Sequence, residues 1–265
     1  MRKKIIFFVI IFCIIVRFVN IFGITHCKPY KHGKKIAICI SGRLRHFRDD
    51  FYSLNKYIFE PTQGDIFLCI DNDETKDDIH IAKQLYRPKK IILLSERFQN
   101  KEQAMFYKIY KCNEMKNKYE LDNNIYYDYV IRLRPDVYVY GYVDINKMCS
   151  RSLNIPVKSI YDTTYLNFNN YGITDMIAIG TPKIMDIYSE CFFSLRENKL
   201  CNTPEYKLYE HIKLSDIEIK LFHLFFIPNW ITLSEIFTKN FHKKIKEKSG
   251  EGFLDECKDV FGFSQ

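Results

Sequence analysis

The chain has 265 residues, 47% of them hydrophobic and 27% charged, with a formal net charge of +8. That balance excludes a disordered chain and supplies enough apolar material for a sizeable core. Ten glycines and eight prolines leave little room for long linkers, and the basic residues are interspersed with acidic ones, which argues against a nucleic-acid groove.

At the N-terminus, Arg2-Lys3-Lys4 precedes the apolar run Ile5–Val16, Arg17 interrupts, and Phe18–Ile24 follows. The run has the length of a bilayer-spanning helix, and the Arg17 side chain can snorkel. No small-x-small cleavage site follows it. Residues 1–24 therefore read as an uncleaved signal anchor rather than a cleaved signal peptide. A single-pass membrane protein is expected, with its domain on the luminal side of an endoplasmic reticulum or Golgi-like membrane. Orientation stays open, because Lys28, Lys31, Lys34 and Lys35 oppose the N-terminal basic residues across the span. Residues 25–34 form a polar stem.

The first strand is Lys35–Ile40, a near-continuous apolar run typical of a buried parallel strand. It breaks at Ser41-Gly42-Arg43-Leu44-Arg45, where a glycine turn and two arginines suit a phosphate at a sheet's carboxyl edge, or form an ordinary β-to-α turn. A helix follows over Phe47–Phe59, then a strand over Asp65–Ile70. That strand ends in Asp71-Asn72-Asp73, a metal-ligating pair or a polar loop. Ile79–Leu85 reads as a short helix, Lys90–Leu94 as a strand and Gln103–Lys118 as a helix.

Tyr127–Tyr138 is the most informative stretch. Val130 and Ile131 enter a core, and Arg132, Arg134 and Asp136 then alternate with Leu133 and Pro135. A period of two places the three charged residues on one side of an extended chain. Such a group suits an anion with a cation, as in a nucleotide diphosphate with a metal, or makes a structural ion pair. Pro135 cannot donate to a ladder, so pairing weakens there.

Asp144–Met148 reads as a turn with a short helix, and Leu153–Pro156 leads into an aromatic loop, Tyr161–Tyr171. Asp175–Gly180 reads as a strand. Thr181 caps a helix over Lys183–Leu195 with Pro182 at its first position. Pro204-Glu205 opens another helix, Tyr206–Ile212. Ile217–Leu224 is a strand or a helix, and residues 240–265 form a polar tail. Among the nine cysteines, Cys39, Cys69 and Cys191 read as buried hydrophobes, whereas Cys112, Cys149, Cys201 and Cys257 could pair in an oxidising compartment. No zinc-ligand spacing occurs. Alternating strands and helices imply one α/β domain over 35–239 with a mostly parallel, Rossmann-like sheet.

Four segments in order, Ile38–Arg45, Tyr127–Asp136, Asp175–Gly180 and Pro204-Glu205, resemble membrane-anchored GT-A-type nucleotide-sugar glycosyltransferases, especially viral and microbial members. The resemblance covers most of residues 36–225. It implies transfer of a sugar from a nucleotide-sugar donor to a glycan or glycoprotein acceptor, with no nucleic-acid partner. It implies donor contacts for Ser41, Gly42 and Arg45. The family's metal-binding Asp-x-Asp is matched here by Arg134-Pro135-Asp136, with one acidic residue. Either Asp136 holds Mn²⁺ or Mg²⁺ alone, or Arg132 and Arg134 neutralise the diphosphate without a metal. Asp175 or Glu205 would be the general base in an inverting reaction. Two other readings of the same residues are another nucleotide-dependent transferase and an inactive membrane-tethered binding protein of this fold.

Overall fold

Among the described residues the apolar runs become eight strands of one sheet: β1 (Ile36–Ser41), β2 (Asp65–Asp71), β3 (Lys90–Leu94), β4 (Tyr129–Leu133), β5 (Val137–Val139), β6 (Leu153–Ser159), β7 (Ile177–Gly180) and β8 (Ile219–Pro228). The structure, a computed structural model, describes residues 33–159, 172–195 and 203–228, all within a unit spanning Lys31–Trp230. The expected anchor over residues 1–24, the aromatic loop Tyr161–Tyr171, Cys201, Cys257 and the polar tail lie outside them. Among the described residues no helix is long and apolar enough to cross a membrane.

The strands run in the order β3-β2-β1-β4-β7-β6-β8-β5. The fold is mixed α/β with a mostly parallel sheet, as expected, and the antiparallel pairings all fall in one half. β3, β2, β1 and β4 are mutually parallel. β7 is antiparallel to β4 and to β6, β8 is parallel to β6, and β5 is antiparallel to β8. A buried apolar run such as Ile177–Gly180 carries no mark of direction, because burial on both faces hides the pattern that would give it.

Alternation divides the sheet's side chains between two cores. Ile36, Ile38 and Ile40 of β1, Leu68 and Ile70 of β2, and Ile131 and Leu133 of β4 face one side. Helices α1 (Phe47–Leu54) and α2 (Lys76–Tyr86) cover that side with Phe47, Leu54, Ala82 and Tyr86. Ala37, Cys39, Phe67, Cys69 and Val130 face the other. There α3 (Lys101–Asn123), α4 (Pro182–Ser189) and α5 (Pro204–Leu214) pack through Phe106, Ile109, Tyr188 and Leu208. α3 exceeds its expected span at both ends. Asn100 caps its start by accepting from the Glu102 N–H, and Asn124 ends it in a left-handed conformation. Cys112 is fully buried, with its thiol aimed at the Ile40 and Phe67 carbonyls. It packs as a core hydrophobe, which corrects its reading as a disulfide candidate.

After α1 the helix widens into a π turn, Asn55–Phe59, and ends in Glu60–Thr62. Pro61 has no N–H to offer the Tyr57 carbonyl one turn back. The Val143 N–H takes that carbonyl instead at 3.2 Å, and the Val139 N–H bonds Ser53 Oγ at 3.0 Å. Chain from β5 onward is thereby tied to the helix. β4 and β5 are joined by only Arg134-Pro135-Asp136, yet stand four places apart in the strand order. In a flat sheet those places would span about 19 Å, and four residue steps cover about 14 Å at most. The sheet must therefore curl, and Val137, Val139, Leu224 and Phe226 duly join the core under α1.

Candidate active site

The parallel half reverses its order between β1 and β4. From β1 the chain moves outward to β2 and β3 through α1 and α2, and α3 then crosses the opposite face to reach β4 on the far side of β1. The carboxyl ends of β1 and β4 flank a topological switch point, where loops part and open α/β sheets bind ligands.

β1 ends at Ser41, whose buried hydroxyl has no hydrogen-bond partner. Gly42 follows at φ +148° and donates its N–H to the Cys69 carbonyl at 3.2 Å. A Cβ at this position would lie 3.0 Å from Pro135 Cδ. The turns after β1 and β4 thus rest on each other, and glycine is required for both its dihedral and its size. The Leu44 N–H donates to Glu74 Oε1 at 3.1 Å, which fixes the rest of the loop. Arg43 leans toward Asp71 and Asp73 at 3.5 and 3.6 Å. Arg45 is exposed.

The second turn carries the charge. β4 stops at Leu133, so the extended chain expected through Asp136 gives way to a turn at Pro135. Arg134 folds back onto Asp136 as a fork, with Nε to Oδ1 at 2.8 Å and Nη2 to Oδ2 at 2.7 Å. Its Nη1 lies 3.7 Å from Asp175 Oδ2, at the entry to β7. Burial acts to lower the Arg134 pKa, but Asp175, Asp136 and Glu205 outweigh it and hold the group above its ordinary value. Glu205 reaches this cluster through backbone contact. Ile173 N–H donates to the Glu205 carbonyl at 3.0 Å, and a Cβ on Gly172 would lie 2.1 Å from the Glu205 carbonyl carbon. No side chain fits between the segment entering β7 and the start of α5.

Arg132 corrects one expectation. It shares Arg134's side of the chain but is only 2% exposed, lying on the α3 and α4 face. Its guanidinium donates to the Leu133 carbonyl, and Nε has no partner. Burial lowers its pKa, against the raising influence of Tyr188 and Asp175. Tyr188 OH is likewise buried without a hydrogen bond, and burial pushes its pKa up. Ser41, Gly42, Arg134, Asp136, Asp175 and Glu205 therefore gather at the switch point. Arg132 lies beneath them, and Arg45 faces solvent. Tyr188 and Lys108 carry no functional mark in the sequence beyond their places in the helices expected over Lys183–Leu195 and Gln103–Lys118. That lysine's signal was a cation among the core-facing residues of α3, and it pairs with Asp71 at 2.8 Å with both side chains 10% exposed.

These residues do not fit a divalent metal at Asp136. Both of its carboxylate oxygens accept from Arg134, and the guanidinium stands between Asp136 and Asp175 where a second cation would be repelled. The Asp71-Asn72-Asp73 segment is also occupied, since Asp71 pairs with Lys108 and Asp73 with Arg97 at 2.8 Å. Among the described residues no three His, Cys, Asp or Glu side chains gather to hold a metal. No protein-family model matches the chain, and no curated protein matches its sequence.

Proposed function

We propose that this chain is a GT-A-type glycosyltransferase that moves a sugar from a nucleotide-sugar donor to a glycan or glycoprotein acceptor without a metal at Asp136. The observation that carries this reading is a guanidinium held between two buried carboxylates at the switch point. Arg134 spends Nε and part of Nη2 on Asp136, and a guanidinium has five N–H groups. The N–H groups not bonded to Asp136, of which Nη1 lies 3.7 Å from Asp175, are the ones that would meet the donor's diphosphate, and fixed positive charge there lowers the barrier as negative charge develops on the leaving group.

In this reading Ser41 and Gly42 bring the β1 turn against the nucleotide, and the exposed Arg45 adds charge at the rim. Arg132 and Tyr188 support the cluster from below. Asp175 is 2% exposed and holds Arg134, so it serves as a positioning residue. Glu205, half-exposed at the first turn of α5, is the base. It takes the proton as the acceptor oxygen bonds to the anomeric carbon, and the bond to the diphosphate breaks with its electron pair leaving on a phosphate oxygen.

The test is a thermal-shift and donor-hydrolysis screen of the full chain against a nucleotide-sugar panel, with and without Mn²⁺. Stabilisation by one nucleotide class, with sugar release that ignores Mn²⁺, is the expected result. Glu205→Gln should keep the donor-induced shift and lose transfer. A strict Mn²⁺ requirement would overturn the metal-free arrangement. No shift with any donor, from a sample that melts cooperatively, would favour the inactive binding protein, a reading that the full engagement of Asp136 by Arg134 also suits.

A further inference from the structure

Directly after the candidate site the chain reads Val137-Tyr138-Val139-Tyr140-Gly141-Tyr142-Val143. Alternation sends Val137, Val139 and Val143 into the core under α1 and turns Tyr138, Tyr140 and Tyr142 away from it. All three tyrosines are half-buried. The neighbouring helix sorts its aromatics in the same way. Phe47 and Phe59 are buried in the core, Phe51 and Tyr57 pack half-buried against it, and Tyr52 is 67% exposed. The Tyr138 and Tyr140 ring centroids lie 4.7 Å apart. Tyr57 meets Tyr142 edge-on at 5.1 Å, and Lys56 Nζ lies 4.9 Å from the Tyr57 ring centroid.

The sorting has a chemical meaning. A surface needing only apolar contact would be served by phenylalanine, which this chain uses 22 times. Among the described side chains on this strand and on the helix turn beside it, Tyr138, Tyr140, Tyr142, Tyr57 and Tyr52 are instead tyrosines, each a rigid ring face with a hydroxyl at its rim. Burial pushes the Tyr140 phenol up to about 12, so it remains a neutral donor at physiological pH. Ligands that offer apolar C–H faces ringed by hydroxyl groups are saccharides.

We propose that the ladder of Tyr138, Tyr140, Tyr142, Tyr57 and Tyr52, flanked by Lys56, is a saccharide-binding platform that seats the acceptor glycan beside the transfer site. This rests on the glycosyl-transfer reading for its role, and on the ladder's own geometry for its ligand class. Continuity decides the occupant. Tyr138 stands two residues after Asp136, on the strand that the turn itself delivers, so a sugar on the ladder lies next to the cluster around Arg134. A π turn beneath a binding surface is a common arrangement, because the widened helix re-aims its side chains.

The experiment uses the full chain and four neutral tetrasaccharides, built of α-glucose, β-glucose, N-acetylglucosamine or mannose units. Saturation-transfer NMR reads contact between sugar protons and tyrosine rings, and donor hydrolysis by water is followed in parallel. At least one tetrasaccharide should bind. Tyr52→Ala and Tyr138→Ala should each weaken it by about threefold to tenfold, leaving donor hydrolysis unchanged. Tyr138→Phe, which keeps the ring and the fold, should show a smaller loss. No binding by any tetrasaccharide, unaltered binding by all three variants, or capture of a proline-rich peptide in place of the sugars would overturn the proposal. Sugar binding without donor hydrolysis by the parent chain would sink the transferase reading and leave the platform standing.

Discussion

Two groups of Asp, Arg and Lys side chains stand at the carboxyl edge of the sheet, and they differ in how much water they keep. At β2, Asp71 and Asp73 meet Lys108, Arg43 and Arg97, and the outer members are open, with Arg43 51% and Arg97 63% exposed. At β4 and β7, the side chains alone of Arg134, Asp136 and Asp175 are 20%, 5% and 3% exposed, above a buried Arg132. The β2 group is largely a screened surface network, in which pairing contributes little. The β4 group sets desolvation against close pairing, and it leaves Arg132 Nε, Asp175 Oδ2, Tyr188 OH and Ser41 Oγ without hydrogen bonds. Identical residue types thus make a solvated rim in one place and a costly, preorganised site in the other. Unsatisfied buried groups concentrated at a switch point are a mark of function.

The sharpest way to break this comparison is to remove one partner from the buried group. Asp136→Ala should cost about 3–5 kcal/mol, because Arg134 would stay buried with its fork unfilled; urea unfolding reads the change, and a loss near zero would put both groups in one class. Gly42→Ala should cost about 1–3 kcal/mol, through the positive φ and the contact with Pro135, and should weaken donor binding because it separates the two turns.

A smaller effect is expected from Glu74, whose pKa burial raises above its ordinary 4.5. The folded chain therefore favours the protonated acid. Its stabilising contribution is complete below pH 4.5 and disappears as pH rises through the folded value. The melting temperature of the parent chain relative to Glu74→Gln should fall over that rise, and the opposite trend would show that the Leu44 N–H governs the carboxylate instead. Least of all, Arg97→Ala should leave the urea-unfolding midpoint almost unchanged, because an exposed, solvent-screened pair contributes little. A larger loss would mean that the β2 network is no mere surface feature.

Much of the parallel half was legible in the sequence. Lys90–Leu94 and Asp65–Ile70 are dense apolar runs between polar breaks, and the structure places strands there within a residue. Glycine at 42 and proline at 135 marked both site turns, since each has a backbone constraint that few other residues meet. The mixed half was harder to read. Val137–Val139 is too short to announce itself beside the β4 run, and β6 was noted only as Leu153–Pro156, because Pro156 reads as a break. The meeting of Asp175 and Glu205 with Arg134 depends on contacts between segments 30 to 70 residues apart, which no local pattern encodes. The burial of Arg132 was hidden for a similar reason. Alternation shows which side of a strand a residue takes, but not whether a helix covers that side.

The bond from the Val139 N–H to Ser53 Oγ bears on self-association. β5 closes one end of the strand order, and an end strand with bare N–H groups is a template for pairing with another chain. Here a helix hydroxyl already fills the amide that an incoming strand would need, and the Val143 N–H is taken by the Tyr57 carbonyl. The opposite end is guarded by other means. β3 is five residues long, opens with an exposed lysine and, among the described residues, pairs with β2 alone. If copies of this domain ever join edge to edge, β3 is where the seam will form, and a second charge in place of Leu93, 41% exposed, is the change that would close it.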